Sequence, residues 1–138
     1  MSDSPIKNVV REVMLERWAQ DKKWGEQNHP SFDQVLINRE GGVTPERMAE
    51  RYEIPPEWRA KGTCQQEFAR GQGTWMDVLQ EEVSEACAAF GDPQALRAEL
   101  LQVAAVACAW VELLDRQTHQ AGGASVHLPL RRACSHRA

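Results

Sequence analysis

Residues 74–118 read TWMDVLQEEVSEACAAFGDPQALRAELLQVAAVACAWVELLDRQT, and they contain two consecutive helical patterns. Thr74 caps a helix that begins at the following tryptophan, and Asp77 in the first turn suits the positive end of the helix dipole. The helix continues to about Phe90. Gly91 is its expected stop, because glycine readily adopts the left-handed conformation found just past helix ends.

A second helix follows after only three residues, Gly91-Asp92-Pro93. Asp92 caps it, Pro93 suits its first turn, and the helical pattern runs to about Thr118. Because the connection is so short, the two helices are predicted to fold back on each other as an antiparallel hairpin.

Both helices carry polar side chains in the stripe that faces the core. At about 100° per residue, the stripe of the first helix contains Glu82 and has Glu85 at its margin. The stripe of the second helix contains Glu99, with Gln102 beside it. The apolar members are Trp75, Val78, Leu79, Ala86, Ala89 and Phe90 on the first helix, and Leu96, Leu100, Val103, Ala107, Trp110 and Leu114 on the second. A carboxylate in such a stripe is costly unless its charge is compensated, so the pair of helices indicates a site.

The hairpin brings these side chains to matching levels. Glu85 and Glu99 each lie seven residues from the turn aspartate, and Glu82 and Gln102 each lie ten. At about 1.5 Å of rise per residue, three carboxylates and an amide converge on one part of the groove. Such a set is typical of Mg²⁺ or Mn²⁺ ligands, and Glu81 could join it from the flank.

The acidic residues have two other interpretations. A solvated helix face or a polar oligomer contact explains any single glutamate well, but it explains the matched set less well. A second acidic pair, Glu112 and Asp115, points away from the apolar stripe near the end of the helix. It is rejected as the primary site because no carboxylate is expected opposite it.

The rest of the chain is predicted to surround the hairpin. A first helix, capped by Ser4, runs from Pro5 to about Gln20. Residues 31–73 form an insertion or lid with short helices, from Thr44 to about Tyr52 and from Thr63 to Arg70. We expect one all-α domain over residues 1–120 and a disordered tail over residues 121–138. Its antiparallel helical hairpin and N-terminal helix make a four-helix-bundle-like core that oligomerisation completes, as a homodimer or homotetramer.

The composition is that of an ordinary globular domain. The chain has 138 residues, of which 42% are hydrophobic and 26% charged, and a formal net charge of −4. The acidity argues against nucleic acid as a partner, since duplex-binding proteins usually present a basic face. No signal peptide or membrane-spanning stretch is visible. The four cysteines are spread without a CxxC pair, so a cytoplasmic protein without a zinc site or disulfide framework is expected.

Three segments resemble one protein family. Glu82-Val83-Ser84-Glu85, a gap of thirteen residues and Glu99-Leu100-Leu101-Gln102 resemble the ExxE…ExxD signature of the MazG-like, all-α nucleoside triphosphate pyrophosphohydrolases. The stretch RWAQDKKW at residues 17–24, with QNHP at residues 27–30, is similar to the N-terminal helix and loop of that superfamily. The phrase GQGTW at residues 71–75 is similar to MazG-like proteins of phage and actinobacteria. The resemblance does not extend to residues 31–62 or to the tail.

The resemblance implies a reaction and a set of ligands. The reaction is the Mg²⁺-dependent hydrolysis of a nucleoside or deoxynucleoside triphosphate to the monophosphate and pyrophosphate. The implied metal ligands are Glu82, Glu85, Glu99 and Gln102. From the charges, a carboxylate that is not saturated by metal, Glu81 or Glu85, is expected to orient the attacking water. The family usually has Asp where this chain has Gln102. An amide oxygen can bind a hard cation without supplying charge, so metal binding is expected to be weaker unless Glu81 substitutes.

Several further residues are candidates for binding the nucleotide. Trp24 and Trp75 could stack on a base, although for Trp75 packing in the core is favoured. Polar side chains after the first helix could contact a base edge or ribose, and basic ones could contact phosphates. The alternatives are a polar loop and solvated charges. The candidates are Trp24, Gln27, Asn28, His29, Lys23, Arg70 and Trp75.

Rival functions stay open at this point. One is a catalytically weakened nucleotide-binding or protein-interaction module, with Gln102 as the trace of a lost site. Another is a purely structural bundle, whose stability Mg²⁺ would not affect. A di-iron carboxylate protein needs two ExxH motifs. This chain has one, from Glu26 to His29 in a helix-breaking loop, so that class is set aside.

Overall fold

The structure is a computed structural model that describes residues 4–120. Over this range the chain is helical and contains no strand, which confirms the predicted all-α class. The helices are α1 (Pro5–Trp24), α2 (Gln34–Ile37), α3 (Pro45–Arg51), α4 (Glu57–Ala69), α5 (Trp75–Ala88) and α6 (Pro93–Gln120). None of these helices combines the length and hydropathy needed to cross a membrane. The predicted tail, residues 121–138, lies outside the described residues.

The predicted hairpin is formed by α5 and α6, and its helix starts are fixed by side-chain caps. The Thr74 hydroxyl oxygen accepts a hydrogen bond from the Asp77 amide at 3.2 Å, and the Thr74 amide donates to the Asp77 carboxylate at 2.9 Å. The Asp92 carboxylate accepts from the amides of Gln94 and Ala95 at 3.0 and 3.1 Å. Each cap satisfies amides that have no partner inside the helix, typically worth about 1 kcal/mol.

The other helices are arranged around this hairpin. Helix α1 packs against α6, α4 packs against α5, and α3 also contacts α5. The two helices that carry the acidic residues therefore lie in the middle of the row α1–α6–α5–α4.

The buried core is built largely from the segment predicted to be an insertion. Leu36 of α2 and Met48 of α3 pack with Cys87 of α5, and Phe32 meets the α5–α6 turn residue Phe90 edge-on, with ring centroids 6.3 Å apart. The partly buried side chains around this core are Phe32, Ile37, Val43, Ile54 and Phe90. This segment thus anchors α5, and its description as a lid stays a prediction.

Several predicted helix boundaries were wrong. Helix α1 continues past Gln20 to Trp24, although its stop at Gly25, which takes a φ of 67° at the C-cap, is one of the two breakers expected after it. Ser4 is the N-cap residue, but its side chain makes no capping hydrogen bond. Helix α4 begins at Glu57 rather than at Thr63, whereas α5 ends at Ala88, within two residues of its predicted end. The four-residue α2 was missed, since so short a helix shows no periodicity.

Part of the predicted apolar stripe of α6 is exposed in the single chain. Leu100 and Leu114 are 51% and 50% exposed, and α6 contains no buried residue. The side of α6 that is partly buried includes Leu96, Glu99, Val103, Val106 and Trp110, so the covered stripe is rotated from the predicted one. Trp18 and Trp58 are also exposed.

Ser84 of α5 provides a test of the packing. Its side chain is 2% exposed, and its hydroxyl has no hydrogen-bond partner in the described part of the chain. A buried polar group without a partner is destabilising, and alanine is a better helix former than serine. Ser84→Ala is therefore expected to raise the free energy of unfolding by about 1 kcal/mol, measured by urea titration. The exposed Gln80→Ala controls for helix propensity, and a loss of stability in Ser84→Ala alone would contradict the prediction.

Candidate metal centre

Three carboxylates meet between α5 and α6. Glu82, Glu85 and Glu99 each offer one oxygen, and these oxygens all lie within 4.8 Å of one another. All three side chains are partly buried. This convergence is the one predicted from the equal spacing of the residues on the two arms of the hairpin.

The three carboxylates are held by regular helices. Glu82 and Glu85 are three residues apart on α5 and so lie on the same face, one turn apart. Glu99 lies two turns into α6, and the Asp92 cap fixes where that helix starts. Sites built on helices in this way are held more rigidly than sites on loops.

Burial and mutual repulsion disfavour ionisation of this cluster. The pKa of Glu85 is raised to about 7, first by burial and then by the charges of Glu82, Glu99, Glu81 and Glu57. Burial also raises the pKa of Glu82, as do the charges of Glu81 and Glu99, while a hydrogen bond with Glu85 acts in the opposite direction. Without a cation, Glu85 is therefore partly protonated near neutral pH.

One oxygen of the cluster lacks a partner. The Oε2 atom of Glu82 is buried and has no hydrogen bond within residues 4–120. An unpaired buried oxygen of this kind is destabilising, more so when it carries charge. A divalent cation would give this oxygen a partner and would compensate the repulsion among the three carboxylates. Since Mg²⁺ and Mn²⁺ prefer oxygen ligands, the residues present fit such an ion.

The two candidates for a fourth ligand differ in their surroundings. Gln102 lies on α6 one turn beyond Glu99, and its side chain is exposed. Glu81 is partly buried but does not belong to the group of three mutually close carboxylates. It lies beside Cys64 and forms a hydrogen bond with that thiol. The pKa of Cys64 is raised to about 11, first by burial and then by this hydrogen bond. Which of the two completes the ligand set stays a prediction.

Helix α4 contributes to the site, which the sequence analysis missed. Cys64 is the neighbour of Glu81, and Glu57 adds to the negative field at Glu85. The sequence signal for this contribution is the spacing of Glu57, Ala60 and Cys64, which recur on one face of a helix. Both Ala60 and Cys64 are buried. The predicted helix began too late, at Thr63, for this face to be recognised.

The predicted base-binding residues lie in an exposed segment at the end of α1. The ammonium group of Lys23 lies 4.7 Å from the ring centroid of Trp24. In the loop that follows, the His29 Nε2 atom lies 3.0 Å from the Gln27 side-chain oxygen. All of these side chains, and that of Asn28, are exposed. Their contact with a nucleotide stays a prediction.

The two remaining candidates precede or begin α5. Arg70 is paired with Glu67 at 3.3 Å on the surface. Trp75 is the first residue of α5 and is partly buried, as expected for a side chain that packs at least in part. The rejected pair Glu112 and Asp115 belongs to no group of three candidate ligands in the described residues.

Comparison of the chain with protein-family models, with curated proteins and with solved structures finds no match. Any function assigned to the chain therefore depends on the carboxylate cluster and on the motifs of the sequence.

Proposed function

We propose that this chain is a nucleoside triphosphate pyrophosphohydrolase that depends on Mg²⁺ or Mn²⁺. It converts a nucleoside or deoxynucleoside triphosphate to the monophosphate and pyrophosphate. The observation that carries the proposal is the set of three partly buried carboxylates, one of which has a buried oxygen without a partner. The resemblance to MazG-like enzymes adds the substrate class. A cytoplasmic location and a homodimer or homotetramer complete the proposal.

The ligand set assigns separate tasks to the acidic residues. Glu82, Glu85 and Glu99 would hold the cation, and Gln102 would add an amide oxygen. When bound, the cation neutralises negative charge on the phosphate oxygens during the reaction. Without such compensation, three carboxylates would repel a triphosphate.

A carboxylate then accepts a proton from the attacking water. The water oxygen forms a bond to phosphorus, the linkage between the α- and β-phosphates breaks, and pyrophosphate leaves. Glu81 suits the acceptor role because it lies outside the three-carboxylate group and beside a neutral thiol. Glu85 is the alternative, because a carboxylate has two oxygens and one of them can stay free of the cation.

The nucleotide would be bound by residues flanking α1 and α5. Trp24 and Trp75 offer aromatic faces to the base, and Gln27, Asn28 and His29 offer hydrogen bonds to its edge or to the ribose. Lys23 and Arg70 offer positive charge to the phosphates.

The test is a product assay on the full chain. Each common nucleoside and deoxynucleoside triphosphate is incubated with the protein and MgCl₂ or MnCl₂, and the products are resolved. We expect monophosphate with pyrophosphate, and we expect Glu82→Ala to abolish the reaction. Glu112→Ala, the same change in a partly buried glutamate of α6 outside the cluster, should retain it. Diphosphate with phosphate, or equal activity in Glu82→Ala, would overturn the proposal.

A second candidate function is a nucleotide-binding or protein-interaction module with weakened catalysis. The exposed and uncharged Gln102 favours it, because a metal site with fewer charges binds Mg²⁺ less tightly. Binding of nucleotide without turnover under either metal would select this function. A purely structural bundle would show neither nucleotide binding nor any effect of Mg²⁺ on the melting temperature.

A further inference from the structure

An exposed side of α6 carries a continuous apolar seam. It consists of Leu100, Ala104, Ala107, Val111 and Leu114, and each of these side chains is exposed. Successive members are separated by four, three, four and three residues. This spacing averages 3.5 residues, which is the repeat that keeps one stripe of a helix against a second helix. The seam contains no charged residue, and its centre is made of alanines that allow close approach.

The seam is complementary to itself when one copy is reversed. A two-fold axis at Ala107 would bring Leu100 level with Leu114 of the partner subunit. The same axis brings the small Ala104 close to the larger Val111 of the partner subunit, within about one residue along the helix. A surface that matches its own reversed copy is what a two-fold symmetric interface requires.

The charges that flank the seam favour the same arrangement. Arg97 and Asp115 are eighteen residues apart, which is about five full turns, so both point to one side of the seam. Both are exposed, and neither has an ion-pair partner within the described residues. Antiparallel pairing about Ala107 places Arg97 within about 3 Å, along the axis, of the level of the partner's Asp115. Parallel pairing would instead leave Arg97 about 27 Å along the axis from the partner's Asp115, so these opposite charges would not meet.

We propose that this seam, together with the flanking Arg97 and Asp115, is an interface with a second copy of the chain, with the two α6 helices antiparallel about Ala107. The interface does not depend on the proposed catalytic function, because no carboxylate of the metal centre is part of the seam. It covers the apolar side chains that the single chain leaves in water, and that coverage is favourable.

The first test is the mass of the full chain in solution, measured by sedimentation equilibrium. The wild type is expected to be a dimer or a larger even-numbered assembly. Ala107→Glu should raise the dissociation constant of the two subunits that meet at the seam by at least about a hundredfold, since two carboxylates would meet at the axis. The mass of the assembly is then expected to halve at micromolar concentration. Val10→Glu on α1, where the side chain is 50% exposed, is the matched control and should leave the mass unchanged.

A charge exchange tests the orientation. Arg97→Asp and Asp115→Arg are each expected to weaken the dimer, and the double variant should restore it, because opposite charges then face each other again. Circular dichroism verifies that each variant is folded, which is expected because the changed side chains are exposed.

Three outcomes would overturn the inference. They are a monomeric wild type, a dimer that Val10→Glu dissociates while Ala107→Glu does not, and a double charge variant weaker than both single variants. Catalysis is measured separately, so an inactive dimer would overturn the proposed function and leave the interface intact.

Discussion

Replacing Glu82 by glutamine is expected to lower kcat/KM for nucleoside triphosphate hydrolysis by roughly a thousandfold. The amide has nearly the same shape as the carboxylate, so the fold is retained. The charge that would hold the cation against Glu85 and Glu99 is lost. The measurement is steady-state kinetics with saturating MgCl₂ on the wild type, on Glu82→Gln and on the matched control Glu112→Gln.

The same variant has a second readout that separates a metal site from a structural polar cluster. Without metal, Glu82→Gln should melt at a higher temperature than the wild type, because the amide can donate to the neighbouring carboxylates instead of repelling them. MgCl₂ at a hundred times its dissociation constant should stabilise the wild type by about 2.7 kcal/mol and Glu82→Gln by much less. If MgCl₂ stabilises both proteins equally, the ion binds elsewhere, and the proposal that the three carboxylates bind it is wrong.

The part of the site that could be predicted is the part encoded by local signals. Thr74 and Asp92 fix the two helix starts, and Gly91-Asp92-Pro93 leaves no room for anything but a reversal of direction. Once the hairpin is given, counting residues outward from the turn places Glu85 opposite Glu99. Each of these steps depends on neighbours within a few residues, which is the range over which sequence patterns are informative.

The part that could not be predicted depends on contacts between distant segments. Nothing near Cys64 in sequence indicates that it lies beside Glu81, because the packing of α4 on α5 is determined by the whole arrangement. The apolar residues of α6 cover a wide arc of the helix. Periodicity alone therefore could not decide between the side that contacts α5 and the seam around Ala107. The prediction merged parts of the two faces into one stripe, which is why Leu100 and Leu114 were expected to face the core.

The raised pKa of Glu85 predicts how the metal-free chain responds to pH. The pKa in the folded chain is about 7, above the ordinary value of 4.5, so the folded chain holds this proton more tightly than the unfolded chain does. The stability that this group contributes is complete below pH 4.5 and is lost as the pH rises through 7. Ionisation in a partly buried site next to Glu82 and Glu99 should therefore lower the free energy of unfolding by about 2 kcal/mol.

Mg²⁺ should reverse this dependence, because it binds the ionised form. Below pH 7 the proton competes with the ion at Glu85, and the apparent dissociation constant for Mg²⁺ is expected to rise roughly tenfold per pH unit. The stabilisation by MgCl₂ is then large near pH 8 and small near pH 5, which thermal unfolding with and without the salt measures directly. Glu85→Gln removes this titrating group and should weaken both pH dependences, leaving that of Glu82, whereas Glu112→Gln should preserve them. A wild type that MgCl₂ stabilises equally across this range would mean that ionisation of Glu85 is not coupled to metal binding, and Glu85 could not then be a ligand.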